Sequence, residues 1–133
     1  LSNNERIKII ESLINKFKLE VLVDFKFIYL TPGNFLLFNS ICKDKKINLD
    51  GEYFDNLRLL LNMYKRTKDL NLINFILFLT DYYFLKLKKT NINKFDKILK
   101  NKLFIFENID KFIRFNLNQT SLLNSIKEEL ING

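Results

Sequence analysis

Residues 70–87 read LNLINFILFLTDYYFLKL, a run that on a helical wheel is apolar on almost every face, with Asn71, Asn74, Thr80, Asp81 and Lys86 as its clearly polar positions. A helix greasy all round is a buried one. The run is on the short side of the roughly 20 apolar residues a bilayer requires, and Asp81 and the two asparagines interrupt it. It is therefore expected to be the central helix of a soluble bundle and not a membrane span. Asp81 has two readings: a carboxylate among apolar neighbours with a raised pKa, or one paired with a Lys or Arg on the helix's wet edge. A lone carboxylate is not a site.

The whole chain supports the same fold class. In 133 residues, 47% are apolar, while only three are Gly and one is Pro. That apolar fraction excludes general disorder, and the punctuation that strand-rich folds need is almost missing. An all-α chain follows. Abundant Lys, Asn, Ile and Phe are what AT-rich coding produces, which tempers any reading of the formal charge of +7. That charge raises nucleic acid or an acidic membrane surface as a partner, against a lysine-rich solvated surface. Cys42 is the only cysteine, so no intrachain disulfide can form; it is expected to pack as a small hydrophobe in a reducing cytoplasm. The opening LSNNERIK has no initiator Met or signal-peptide pattern, and reads as an internal start within a longer protein.

Working outward from the central run, Asp69 can cap it and Lys68-Asp69 makes the preceding turn. Before that, a helix capped by Asp50 is expected to turn Tyr53, Leu57, Leu60, Leu61 and Tyr64 inward. At the N-terminus, Ser2 or Asn3 can cap a helix with Ile7, Ile10, Leu13, Ile14 and Phe17 on one face, ending near Lys18. Val21, Leu22, Phe25 and Ile28 suggest a second short helix over residues 19–29. Thr31-Pro32-Gly33-Asn34 then opens a third: Thr supplies a capping oxygen, Pro fits the first helical position, and Gly permits close backbone approach. The charged KDKK at 43–46 is read as the boundary between a first module, 1–45, and a second, 46–133. After Thr90-Asn91 a long helix, or one broken near Lys102, carries Phe95, Ile98, Leu99, Leu103, Phe106, Ile109, Phe112 and Ile113. Asn118 can cap a last helix marked by Leu122, Leu123, Ile126, Leu130 and Ile131.

The chain has no histidine, one cysteine and no recognisable acidic pair. Zinc sites, nucleophilic triads and imidazole acid–base work lack material, and no GxxxxGK[ST] loop is present to hold ATP. No catalytic activity, cofactor, metal or small-molecule substrate is expected. The basic clusters are Lys43, Lys45 and Lys46; Lys86, Lys88 and Lys89; and Lys94, Lys97, Lys100 and Lys102. The latter two flank one turn and can join into a single patch, whose phosphate binding would be independent of sequence and steeply dependent on salt. The aromatic residues sit at core spacing, which argues against a stacking platform for single strands.

Two small helices followed by a Thr-Pro-Gly turn resemble the lid module of AAA+ clamp-loader subunits. The continuation is similar to the collar of the delta prime family of DNA polymerase III subunits: the helix from Tyr53 to Arg66, the apolar helix, and a long helix. That helix ends in Asn116-Leu117-Asn118-Gln119, where the family has a phrase of the Asn-Leu-Asp-Arg type. The resemblance implies a three-helix lid followed by a helical collar, a protein of DNA replication in the cytoplasm, and partners that are other clamp-loader subunits. DNA contact would be indirect or weak, and no membrane is involved. It also implies that Thr31, Pro32, Gly33 and Asn34 occupy a degenerate sensor position. Gly33 stands at the place of the arginine found in active motor subunits, and Asn34 where delta prime subunits often keep an Arg. The alternative is a basic helical module that binds nucleic acid.

Overall fold

The computed structural model describes residues 2–90, 95–116 and 118–132, and these are helical throughout their regular structure, with no strand among them. They form two compact units, Leu1–Gly51 and Glu52–Gly133.

In the first unit α1 spans Asn3–Phe17. Ser2 caps it, its Oγ accepting the Glu5 N–H at 3.1 Å, and Lys18 ends it in the left-handed conformation at φ 52°. Helix α2 spans Pro32–Lys45, with Thr31 Oγ1 accepting the Asn34 N–H at 3.1 Å. These two helices pack together.

The helix expected over 19–29 does not form, so the unit has two helices where a lid has three. The physical reason lies in three polar side chains. Asp24 Oδ1 accepts the N–H groups of Lys26 and Phe27, a local turn that competes with helix. Asn39, reaching from α2, accepts the Leu22 N–H at 2.7 Å and donates to Glu20 O at 2.9 Å. Arg6, reaching from α1, donates to Phe25 O at 3.1 Å and Leu30 O at 3.0 Å. Both Arg6 and Asn39 are buried. They satisfy backbone groups that would otherwise need a helix's own ladder. The connection buries Val23, Phe25 and Leu30, a spacing unlike that of the expected stripe, and Phe25 meets Phe35 edge-on at 5.1 Å.

The division between units falls after Gly51, not at the KDKK run. Helix α2 ends at Lys46, again left-handed, and the Ile47 N–H returns to Cys42 O at 2.9 Å. Ile47 and Leu49 are buried and the Gly51 N–H bonds to Asn48 O, so residues 47–51 form a structured turn. Asp50 belongs to that turn; the helix cap expected of it is provided by Glu52.

Glu52 opens the second unit by accepting the N–H groups of Phe54 and Asp55, starting α3, Tyr53–Thr67. All five residues expected on its inner face are buried. A left-handed Lys68 turns the chain, Asp69 Oδ1 accepts the Asn71 N–H at 2.9 Å, and α4 runs over Leu70–Thr90. Helix α5, Phe95–Phe115, is continuous through Lys102, and α6 covers Gln119–Asn132. Each helix packs on the next and α6 closes on α3. Helix α4 is long and apolar enough to cross a membrane by length and composition, yet half of it is buried within the molecule. Phe75, Ile76 and Thr80 are fully inaccessible. Thr80 Oγ1 donates to Ile76 O at 2.8 Å and so accepts from Tyr53 Oη at 2.9 Å, joining α4 to the first turn of α3. Tyr83 stacks on the same Tyr53 ring, centroids 4.4 Å apart.

Burial makes the chain sensitive to alkali. It pushes the Cys42 thiol up to about 12 from 9.0 and raises both Tyr53 and Tyr83, the last also through the charge of Glu52. Each group is an acid whose folded pKa exceeds its unfolded value. Their contribution to stability is whole below about pH 9 and is lost as pH rises toward the folded pKa values. Melting temperature is accordingly expected to fall between pH 8 and pH 11. At pH 8 a thiol reagent should find about 10³-fold less thiolate in the native chain than in urea, because thiolate is the reacting species.

Candidate functional site

The Thr31-Pro32-Gly33-Asn34 turn is a helix N-terminus made by its own residues: Thr31 caps, Pro32 takes the first position, and Gly33 and Asn34 are exposed. Gly33 is not needed for close approach. A Cβ built there meets nothing within 4 Å, and its φ is not in the left-handed region. Gly33→Ala is therefore expected to stabilise the first unit, by about 0.5 kcal/mol, through the smaller entropy of the unfolded chain. Urea titration of the two chains measures it.

In the Asn116-Leu117-Asn118-Gln119 phrase, Leu117 lies outside the described residues. Asn116 is left-handed at φ 50°, and Asn118 caps α6, its Oδ1 accepting the Ser121 N–H at 3.1 Å. Gln119 donates from Nε2 to Arg58 O at 3.3 Å, tying the start of α6 to α3. Beside that contact lies an open groove of about 270 Å³. Arg58 and Asn62 of α3 line it, with Gln119, Thr120, Asn124 and Lys127 of α6. Its polar lining is two cations, three amides and a hydroxyl. No acid, thiol or imidazole is among the lining residues, so the groove offers hydrogen-bond donors to a bound group and nothing to move a proton at neutral pH. Sequence reasoning missed it because Arg58 and Gln119 are 61 positions apart.

Lys102 stands apart from the other lysines of the expected patch. Lys94 lies outside the described residues. Lys102 pairs with Asp81 at 2.5 Å, which gives Asp81 its cationic partner and removes Lys102 from any free patch. Lys102 also stands roughly 160° around α5 from Lys100 at 3.6 residues per turn. Lys86 lies over the Tyr82 ring at 4.7 Å, whereas Lys88, Lys89, Lys97 and Lys100 are exposed. Tyr64 and Tyr82 are buried, and Tyr83 is half-buried against Tyr53. Among the described residues no group of three or more Cys, Asp or Glu side chains is placed to hold a metal ion.

On α5 the apolar residues at helical spacing divide between an inner and an outer face. Leu99 and Leu103 are 45% and 54% exposed, whereas Asn101, Ile105, Ile109 and Phe112 are buried. No family model, no curated protein and no solved structure matches the chain.

Proposed function

We propose that the chain is a non-catalytic assembly module, the lid-and-collar part of a clamp-loader subunit of the delta prime kind, which helps hold the loader together during DNA replication. The supporting observation is the order of parts. A small first unit contains the Thr-Pro-Gly helix, and a second unit of four helices follows, with the Asn116-to-Gln119 phrase as its α5–α6 turn. The two-helix first unit departs from a lid, so the collar carries more of the reading than the lid does. Exposed Leu59 and Phe115 give the second unit apolar surface beyond its own core, which suits packing on neighbouring subunits.

The test is light scattering of the chain mixed with the complete set of other loader subunits from the same organism. A stoichiometric complex that persists at about 0.3 M salt, where exposed charges are largely screened, supports the proposal. Failure to enter the assembled loader overturns it. DNA binding that collapses as salt rises would instead favour a basic nucleic-acid module.

A further inference from the structure

The outer face of α5 carries an apolar seam and a charge pattern that complement themselves. Leu99, Leu103, Phe106, Asp110 and Ile113 follow steps of four and three, the spacing with which one helix pairs with another; Asp110, ion-paired to Arg114, is the one charged position in this otherwise apolar row. The two leucines are exposed, and Phe106 and Ile113 are half-buried. Lys100 and Glu107 each lie one position past a seam residue, where side chains reach across to a facing helix. Both are exposed, and neither has an ion-pair partner among the described residues; the same holds for Asp96 and Lys111.

Reversing the helix about a midpoint between residues 103 and 104 exchanges Lys100 with Glu107 and Asp96 with Lys111. Each exchange is between opposite charges. A parallel copy would bring every charge level with its like. A two-fold contact requires this self-complementarity, because each surface element must meet its counterpart on the other copy.

We infer that a second copy of this chain docks antiparallel on the outer face of α5. Leu103 of each copy packs between Leu103 and Phe106 of the other, and Lys100 of each faces Glu107 of the other. The inference goes beyond the clamp-loader reading and does not rest on it. The signs of the charges favour a second copy, whose reversed row is complementary at every position, whereas a partner face of uniform charge would leave half of the row opposed by like charge.

Sedimentation equilibrium of the complete 133-residue chain tests it over roughly 5 to 500 µM, the range of weak pairing at an interface below standard size. A reversible monomer–dimer equilibrium is expected. Lys100→Glu sets like charges opposite each other twice and should weaken the dimer about tenfold; adding Glu107→Lys should restore it to within about threefold. Leu103→Lys should leave a monomer. Far-ultraviolet circular dichroism establishes that each variant keeps its helical content. A monomer throughout the range overturns the inference, as does a dimer indifferent to Lys100→Glu or a charge swap that fails to restore pairing. Because only this chain is present, the result is separate from its entry into a loader.

Discussion

Replacing Arg6 with methionine is expected to destabilise the first unit by about 3 kcal/mol, from the loss of two charge-assisted hydrogen bonds that leaves their acceptors buried. Two effects oppose each other. Arg6 is only 2% exposed and meets no carboxylate among the described residues, so its cation is held by Phe25 O, Leu30 O and Asn3 Oδ1 alone. Removing a buried charge recovers desolvation energy, as it does where ion pairs are replaced by apolar residues of similar volume. Here, however, the acceptors are backbone carbonyls that cannot be replaced along with the arginine. The connection from Leu19 to Thr31 has no helical ladder in which to re-pair them. The unmade bonds therefore outweigh the recovered solvation. The guanidinium also lies 4.5 Å from the centroid of the Tyr29 ring, a contact that methionine retains only in part.

Arg6→Lys separates charge from geometry. It keeps the cation, but a single ammonium cannot reproduce the planar fork that reaches two carbonyls and an amide oxygen. A loss between those of wild type and Arg6→Met is expected, on the order of 1–2 kcal/mol. Urea unfolding measures the size. Hydrogen exchange at Leu22, Phe27 and Ile28 reports whether the connection opens first; a wild-type exchange rate there in Arg6→Met would contradict this account.

What could be read from the sequence follows from the range of the interactions involved. The inner face of α3 was legible because Tyr53, Leu57, Leu60, Leu61 and Tyr64 repeat at the helical period, and the bundle buries that stripe. Thr31 and Asn118 were legible as caps because a cap bonds only three residues away. The connection before α2 was not. Its shape is decided by Arg6 and Asn39, which lie 17 to 24 positions from the groups they hold, and one-dimensional periodicity carries no trace of them. On α5 the apolar residues cover more than one face, so period alone could not say which of them point inward. Ile105 and Phe112 are buried while Leu99 and Leu103 are exposed. The pairing of Lys102 was hidden for a related reason. Lys100 and Lys102 are neighbours in sequence but not around the helix, and only the position of Asp81 on α4 shows that Lys102 is already partnered.

Phe75→Ala on α4 is expected to cost about 3–5 kcal/mol, the range for truncating a buried aromatic whose surroundings cannot collapse. Phe75 is fully inaccessible, beside equally inaccessible Ile76, in a helix packed against both α3 and α5. Close packing on two sides leaves little room for neighbours to move into the void. Such a loss is a large share of the 5–15 kcal/mol that stabilises a typical domain. The variant is expected to show a much earlier urea midpoint or to lack a cooperative transition. Asp81→Asn on the same helix provides the contrast. Its pair with Lys102 has side chains 42% and 32% exposed, and an ion pair so open to solvent contributes at most about 1 kcal/mol. A functional carboxylate would behave differently from a surface pair, and so would a helix embedded in lipid. In a bilayer, truncating Phe75 would exchange one apolar contact for another at small cost, while neutralising Asp81 would favour insertion. A large penalty at Phe75 with a small one at Asp81, both measured by urea unfolding in the absence of detergent, is the signature of the central helix of a water-exposed bundle. A small cost at Phe75 together with a gain at Asp81 would assign residues 70–87 to a membrane.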